Sequence, residues 1–295
     1  MFKNIKNYLK LIRVKHWFKN IIIFIPAFYG GTILEKTTMI NSIIGFFVFS
    51  LLSSAVYVLN DICDAEKDRL HPVKCNRPIA SGAVLKKQAG VILALCILLP
   101  ITADILFFGI RFWLIIPVLY LILNISYSIK LKNKPVIDLV ILVSGFVLRL
   151  IYGAGITGVK ISNWLYLTLI ALSLFMAFGK RRNEKMHCGD ATRSVLGKYS
   201  DNYLNSNMYM YLGLFLVFYA LWSMDTTVVP NMIYTTPIVI IIMMRYTYSL
   251  EKDETGNPVD MILGDKMLLA LGVIYGIYIF VQLYFPEAVN EYLRF

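Results

Sequence analysis

The sequence predicts an all-helical integral membrane protein, with about nine transmembrane helices around a central cavity. Hydrophobic residues occupy 58% of its 295 positions, and charged residues occupy only 16%. The mean hydropathy is +0.66. A soluble domain of this size does not need so much apolar sequence, and runs of about 20 apolar residues, long enough to cross a bilayer as a helix, recur along the chain.

The elements follow from the distribution of apolar and basic residues. Residues 1–19 interleave the two types at three- and four-residue steps, which predicts an amphipathic helix on the membrane surface with Trp17 at the headgroup level. Residues 20–295 are expected to form a single domain. Its predicted spans, the first of them short and interrupted by Pro26, are 20–34, 39–60, 88–109, 112–129, 136–158, 163–179, 208–224, 229–249 and 267–285.

Lysine and arginine residues predict the orientation of these spans. They are abundant before the first span and in every second connection after it. The positive-inside rule therefore predicts a cytoplasmic N-terminus and an external C-terminus. The long polar connections, at about 61–87, 180–207 and 250–266, then share the cytoplasmic side of the cell membrane, so we expect the chemistry there.

The net charge of +11 has two possible explanations, nucleic acid or a membrane surface. The aromatic residues lie inside the apolar runs and the basic residues lie between them, which favours membrane lipids and phosphate-bearing substrates over nucleic acid. The four cysteines show no metal-ligand spacing and are expected to be free thiols. A homo-oligomer is compatible with the sequence.

An acidic segment follows directly on the apolar run 43–59. Asp61, Asp64 and Asp68 are spaced i, i+3 and i+7, which places three carboxylates on one face of a helix, with Asn60 beside them. Like charges on one face repel unless water screens them or a cation binds between them. Oxygen ligands of this kind suit Mg²⁺, which usually takes one or two carboxylates and leaves its other positions to water and phosphate.

The alternative is a solvated acidic helix end. Cationic residues just beyond the carboxylates favour a joint site for metal and phosphate over that alternative, and these are Lys67, Arg69, Lys74 and Arg77.

A second cationic segment, Lys180-Arg181-Arg182 with Glu184, follows the span at 163–179. Its residues could be simple topology determinants. Because this connection and the acidic one are both predicted to be cytoplasmic, the two could also face each other across a cavity. Carboxylates holding Mg²⁺, together with guanidinium and ammonium donors, would then clamp a diphosphate.

Arg149 lies within the predominantly apolar segment 142–156. A charge at membrane depth costs about 2.5–3.5 kcal/mol on insertion scales, so such a residue normally faces a polar cavity or a partner. Asp138, on the same span, could line the same cavity, although a structural ion pair of Arg149 with a carboxylate is the alternative. Tyr127 and Lys130, at i and i+3, could bind one ligand together or form an aromatic-belt and snorkelling pair.

These residues together resemble a known family. Asn60, Asp61, Asp64 and Asp68, followed by Arg77-Pro78-Ile79-Ala80-Ser81-Gly82, are similar to the first aspartate-rich motif of the UbiA superfamily of intramembrane prenyltransferases. Within the superfamily the sequence is most similar to the branch of decaprenyl-phosphate phosphoribosyltransferases. The segments that carry this similarity are 13–20, 68–74, 179–184, and Gly256-Asn257-Pro258 with Asp265.

The sequence departs from the aromatic-acceptor members of the superfamily in one place. Those members carry a second aspartate-rich motif where this chain has Lys180-Arg181-Arg182-Asn183-Glu184, with Asp190 and Asp201 farther on. Cations in place of a second metal cluster favour a donor with an additional phosphate, such as phosphoribosyl diphosphate.

The resemblance implies that a polyprenyl phosphate attacks C1 of phosphoribosyl diphosphate and expels diphosphate. It implies that Asn60, Asp61, Asp64 and Asp68 bind Mg²⁺, with Arg77 in the same catalytic group. The residues it implies at substrate phosphates and around them are Lys15, Lys19, Lys67, Lys74, Tyr127, Lys130, Asp138, Arg149, Lys180, Arg181, Arg182 and Glu184.

Two alternatives remain. One is a sibling enzyme that moves a prenyl group from its diphosphate to an aromatic or other small acceptor. The other is a transporter or channel with an acidic cation site. Two observations argue against a transporter: the carboxylates are predicted at a membrane face and not at the midplane, and no inverted repeat is evident.

Overall fold

The computed structural model describes residues 2–70, 74–188, 195–225, 232–252 and 258–286, and this part of the chain is helical, without strands. The all-helical prediction is confirmed. The α-helices are α1 Phe2–Leu11, α2 Ile25–Tyr29, α3 Lys36–Cys63, α4 Ala65–Arg69, α5 Lys86–Phe108, α6 Ile115–Ile129, α7 Ile137–Thr157, α8 Asn163–Cys188, α9 Asp201–Met224, α10 Thr236–Lys252, α11 Pro258–Gly264 and α12 Lys266–Tyr284. Short 3-10 helices stand between them, at Val14–Phe24, Lys74–Asn76, Phe112–Leu114, Leu131–Asn133, Leu196–Lys198 and Met232–Thr235.

Within the described residues, seven helices are long and apolar enough to cross a membrane, which confirms an integral membrane protein. They are Lys36–Cys63, Lys86–Phe108, Phe112–Ile129, Ile137–Thr157, Asn163–Met186, Asp201–Met224 and Lys266–Tyr284. The other two predicted spans, 20–34 and 229–249, coincide with shorter elements, the five-residue α2 and the 17-residue α10. The count of nine spans and the sides of the termini therefore stay predictions.

The N-terminal segment differs from the continuous helix predicted over 1–19. Helix α1 ends at Leu11, and Arg13 adopts a left-handed conformation with φ of 52°. The chain then continues as a 3-10 helix, Val14–Phe24, which is long for this type of helix. A left-handed residue cannot continue an α-helix, and the contacts that Arg13 makes, described below, hold it in that conformation.

The described residues cluster into two compact units. The first unit comprises residues 2–28, 32–70, 74–129 and 148–159, and the second comprises 29–31, 130–147, 160–188, 195–225, 232–252 and 258–286. In the core of the first unit the ring of Phe49 lies 4.9 Å from that of Tyr152. The backbones of Gly153 and Ile23 approach so closely that a Cβ on Gly153 would lie 2.3 Å from the Ile23 carbonyl oxygen. This contact fixes the 3-10 helix against α7.

The core of the second unit is built largely by α8 and α9, the helix pair with the most extensive contact. Phe175 and Leu204 are fully buried within it, and the rings of Phe178 and Tyr211 stack at 5.6 Å. This packing fixes the end of α8, which carries Lys180, Arg181 and Arg182.

Candidate active site

The acidic segment lies at the junction of α3 and α4. Helix α3 ends at Cys63, Asp64 separates the two helices, and its N–H still donates to the Asn60 carbonyl. The break at Asp64 means that the three carboxylates do not follow one straight helix face. Asp61 and Asp68 are buried, whereas Asp64 and Asn60 are only half-buried.

Two guanidinium groups neutralise the buried carboxylates. Arg13 Nη2 lies 2.8 Å from Asp61 Oδ1. Arg77 Nη1 lies 2.7 Å from Asp68 Oδ2 and 3.3 Å from Asp61 Oδ1. Since buried carboxylates need paired, hydrogen-bonded partners, these contacts explain how Asp61 and Asp68 remain in the interior. Arg13 also lies over the ring of Tyr57, 4.6 Å from its centroid.

The donor set fits Mg²⁺ bound together with a phosphate ligand. Among the described residues, no three His, Cys, Asp or Glu side chains lie close enough together to hold a metal ion, so Asp61, Asp64 and Asp68 do not converge as one group of three. Mg²⁺ does not require such a group, because one or two carboxylates and substrate phosphates are enough. A single guanidinium nitrogen already contacts both Asp61 and Asp68, so the two carboxylates are close enough to share one cation.

The other cations of this connection are close to the carboxylates in the sequence. Lys67 is exposed and Lys74 is half-buried. Arg69 donates from Nε to the Ala80 carbonyl at 3.3 Å, which ties the connection to itself. His71 lies outside the described residues.

Lys15 and Lys19 lie on the 3-10 helix, where Lys15 is exposed and Lys19 is half-buried. Two hydrogen bonds anchor this helix to α3: Trp17 Nε1 donates to Ser54 Oγ at 3.0 Å, and Asn20 Nδ2 donates to Ser50 Oγ at 2.9 Å. The two lysines are therefore carried by a fixed element of the first unit.

Arg149 is buried in the first unit, within α7, and its contacts include polar oxygens and aromatic rings. Its Nε donates to Asn20 Oδ1 at 2.6 Å, and its Nη2 donates to Tyr120 OH at 3.1 Å and to Ser53 Oγ at 3.3 Å. The guanidinium carbon also lies 4.9 Å from the centroid of the Tyr120 ring. These contacts stabilise a positive charge at a depth where water does not solvate it.

Tyr127 and Lys130 occupy the end of α6. Tyr127 is half-buried in the last turn of the helix, and Lys130 is exposed just after it.

The second unit contains a buried ion-pair network around Arg181. Arg181 Nε lies 2.9 Å from Asp138 Oδ2, and its Nη1 lies 2.7 Å from Glu184 Oε2. The Tyr199 hydroxyl donates to the other Asp138 oxygen at 2.6 Å and accepts the Val136 N–H. Burial, and the hydrogen bond to Asp138, raise the pKa of Tyr199, so its hydroxyl remains a donor. Both carboxylate oxygens of Asp138 are thus satisfied inside the protein.

Lys180 lies at the edge of that network, and Arg182 contacts other residues. Lys180 Nζ lies 4.0 Å from Glu184 Oε1 and is about one-third exposed. Arg182 Nε donates to Asn205 Oδ1 at 2.5 Å, and its Nη2 lies 3.8 Å from Glu251. The three consecutive cations therefore have three different surroundings, and only Arg181 is fully buried.

Several residues in these clusters were missed as site residues from the sequence. Arg13, Asn20 and Tyr199 come from distant parts of the chain, and the sequence offered no spacing signal that would pair them with Asp61, Arg149 or Asp138. Asp190, Gly256 and Asn257, which the sequence had singled out, lie outside the described residues.

Comparison with known proteins gives consistent results. The model of the "UbiA prenyltransferase family" matches residues 23–262. A decaprenyl-phosphate phosphoribosyltransferase of Corynebacterium glutamicum is 33% identical over 279 residues, which cover 90% of this chain and 83% of that protein. A protein of the same name from Mycobacterium tuberculosis H37Rv is 29% identical over 283 residues, covering 90% of this chain and 91% of that protein.

The fold is shared with a solved structure. A UbiA homologue from Archaeoglobus fulgidus, bound to GPP and Mg²⁺, superposes with a TM-score of 0.71 at 16% identity, covering 93% of this chain and 99% of the other. The family match extends over most of the sequence and includes the acidic segment at Asn60–Asp68. The chain is therefore a membrane-embedded transferase that belongs to the UbiA prenyltransferase family.

Proposed function

We propose that the protein transfers 5-phosphoribose from phosphoribosyl diphosphate to a polyprenyl phosphate and releases diphosphate. The observation that carries this proposal is the 33% identity, over 90% of the chain, with a decaprenyl-phosphate phosphoribosyltransferase. The cations Lys180–Arg182 support it as well. By the resemblance described above, they stand where the aromatic-acceptor members of the superfamily carry a second aspartate-rich motif. We assign the reaction to the cytoplasmic face of the cell membrane, as the distribution of basic residues predicts.

In this proposal Asn60, Asp61, Asp64 and Asp68 hold Mg²⁺ with the diphosphate of the donor. When bound, Mg²⁺ neutralises charge that develops on the leaving diphosphate. The pairing of Asp61 and Asp68 with one cationic nitrogen supports this assignment. Asp64 is only half-buried and its carboxylate is accessible to a ligand.

The proposed reaction does not require a strong general base. A phosphate oxygen of the lipid, already an anion at neutral pH, forms a bond to C1 of the ribose. The bond from C1 to the diphosphate oxygen breaks, and its electron pair leaves with the diphosphate. Arg77, Lys67 and Lys74 bind the diphosphate oxygens in our proposal, so their cationic groups stabilise the leaving group and hold C1 in position.

Lys15 and Lys19 bind the phosphate of the polyprenyl substrate in this proposal. They suit that role because the 3-10 helix that carries them is pinned to α3 by Trp17 and Asn20. Arg149, through its contact with Asn20, supports the same helix and adds positive charge to the interior of the first unit.

Lys130, Lys180 and Arg182, all in the second unit, are proposed to bind a substrate phosphate, and Tyr127 is proposed as a further substrate-binding residue. Arg181 is surrounded by Asp138 and Glu184, so we assign these three residues to positioning the end of α8 instead of direct phosphate contact. Within this segment, Lys180 and Arg182 are thus proposed to bind substrate, and Arg181 is proposed to position them.

The test is transfer of label from water-soluble donor to lipid. Purified protein is incubated with Mg²⁺, phosphoribosyl diphosphate labelled in the ribose, and a polyprenyl phosphate, and the organic phase is counted. We expect label in the lipid fraction, and loss of transfer when EDTA removes the metal. Lipid left unlabelled, with transfer of a prenyl group from a prenyl diphosphate to a small acceptor, would contradict the donor and favour the sibling enzyme.

A further inference from the structure

A cavity of about 410 Å³ lies in the second unit, between the end of α10 and the start of α12. Its lining includes Arg245, Tyr248, Ser249, Lys252 and Asp265. None of these residues has a role in the transfer reaction proposed above. The volume is within the range of small-molecule sites, about 300–1,000 Å³.

The only carboxylate among these five residues is fully engaged by the protein. Asp265 Oδ2 accepts hydrogen bonds from Arg245 Nε at 2.8 Å and from Ser249 Oγ at 2.5 Å. Its Oδ1 accepts from the backbone N–H groups of Met267 and Leu268, at 3.0 and 3.2 Å, and so caps α12. Asp265 therefore anchors the wall of the cavity and has little capacity left to attract a cation.

Two of the other lining residues, Arg245 and Lys252, are cations. Arg245 uses Nε for Asp265, and its two Nη groups make no hydrogen bond or ion pair with the residues that the structure describes. Its guanidinium carbon lies 5.3 Å from the centroid of the Tyr248 ring, and Lys252 Nζ lies 4.1 Å from the same centroid. Lys252 also contacts the Tyr248 hydroxyl.

Arg245 and Lys252 both lie against the Tyr248 ring, and Asp265 is the single carboxylate among the lining residues. These lining residues therefore carry an excess of positive charge. An anion that contacts both cations would relieve their mutual repulsion. Guanidinium and ammonium groups together are suited to phosphate oxygens, the first as a planar fork and the second as a point charge.

We propose that this cavity binds a phosphate monoester through Arg245 and Lys252. The phosphate can belong to a water-soluble sugar phosphate or to the headgroup of a lipid, because both present the same dianionic group. The site shares no residue with the Mg²⁺-diphosphate site proposed at Asp61 and Asp68, and binding here does not depend on turnover.

The test measures binding without divalent metal, so that it is independent of the transfer reaction. Ribose 5-phosphate is titrated calorimetrically into purified protein, with Lys252→Ala and Arg245→Gln as variants. Lys266→Ala is the matched control, because Lys266 is an exposed cation next to Asp265 and does not line the cavity. In a second arm, thermal stabilisation by phosphatidic acid over phosphatidylcholine is compared for the same proteins.

We expect affinity for one of the two probes to fall about tenfold or more in Lys252→Ala and to be unchanged in Lys266→Ala. Dependence on Lys252 in the first arm identifies a soluble phosphate, and dependence in the second arm identifies a lipid phosphate. Lys252→Ala leaves the contacts of Asp265 intact, so it remains informative if Arg245→Gln does not fold. Equal binding of both probes by wild type and Lys252→Ala would overturn the proposal, whether or not phosphoribosyl transfer is observed.

Discussion

Arg77 Nη1 lies 2.7 Å from Asp68 Oδ2, and this ion pair holds together the connection between α3 and α5. The two residues are nine positions apart: Asp68 lies in α4, and Arg77 follows the 3-10 helix Lys74–Asn76. Because the same nitrogen also lies 3.3 Å from Asp61 Oδ1, one guanidinium occupies the position between two carboxylates that the proposed function gives to a metal. A substitution at Asp61 or Asp68 is therefore expected to affect both the fold and the proposed metal site, whereas Asp64 makes no ion pair with a described residue.

Asp64→Asn is expected to abolish transfer while leaving stability nearly unchanged. The Asp64 side chain is half-buried and makes no ion pair with any described residue, so Asp64→Asn removes a proposed metal ligand without breaking an ion pair of the described structure. We expect a decrease in kcat of about 100-fold or more and a melting temperature close to that of wild type.

Asp61→Asn is the matched comparison. It removes the charge that pairs with Arg13 and Arg77, both of which are partly exposed, and is expected to reduce the free energy of unfolding by about 1–3 kcal/mol as well as activity. Full activity in Asp64→Asn would remove Asp64 from the metal site.

Arg149→Lys is expected to destabilise the first unit. A lysine ammonium cannot reproduce the contacts that the guanidinium makes with Asn20, Ser53 and Tyr120, and each lost hydrogen bond to a charged group costs about 1.5–3 kcal/mol. Arg111→Lys, at an exposed arginine, is the control. The measurement is thermal unfolding in detergent, and equal melting temperatures for the two variants would contradict a supporting role for Arg149.

The sequence predicted much of what these experiments use. The apolar runs identified the helices, and the charge of Arg149 inside such a run correctly indicated a polar partner. The identity of that partner could not be predicted, because Asn20 lies 129 positions away and local spacing carries no information about such a contact. The end of α1 at Leu11 also escaped prediction, since the left-handed conformation of Arg13 accompanies its contacts with Asp61 and Tyr57, which are tertiary.

The same distinction applies at Lys180–Arg182. Three consecutive cations look equivalent in sequence, and periodicity alone cannot show that Arg181 is the one buried against Asp138. Tertiary burial decides which cation stabilises the fold and which remain accessible to a ligand.

Asp138→Asn is expected to destabilise the second unit more than Lys180→Ala does. Asp138 and Arg181 are both buried. A buried charge left without a partner costs about 3–5 kcal/mol, and Asp138→Asn should cost less than that, because Arg181 keeps its ion pair with Glu184. Lys180 is partly exposed and lies 4.0 Å from Glu184, so its ion pair contributes about 0–1 kcal/mol.

We expect Lys180→Ala instead to raise the KM for phosphoribosyl diphosphate, with stability close to wild type. Unfolding by denaturant and steady-state kinetics separate the two effects. A stable Asp138→Asn variant with impaired substrate binding would show that Asp138 acts on the substrate and not on the fold.

The stability contributed by Asp265 is expected to depend on pH in one direction. Hydrogen bonds from Arg245, and then from Ser249, hold the pKa of Asp265 below its usual range. A carboxyl whose pKa is lower in the folded state stabilises the protein above its unfolded pKa of about 3.9, and this contribution is lost as the pH falls below that value. Asp265→Asn should therefore be less stable than wild type at pH 5–7, by an amount that is constant across that range and shrinks below about pH 4. Unfolding in a non-ionic detergent between pH 3.5 and pH 7 measures this difference. The control is Asp201→Asn, because the Asp201 carboxylate pairs with Lys185 but is 75% exposed, and such an exposed pair contributes little to stability. A difference that widens as the pH falls would mean that the ion pair with Arg245 does not stabilise the start of α12.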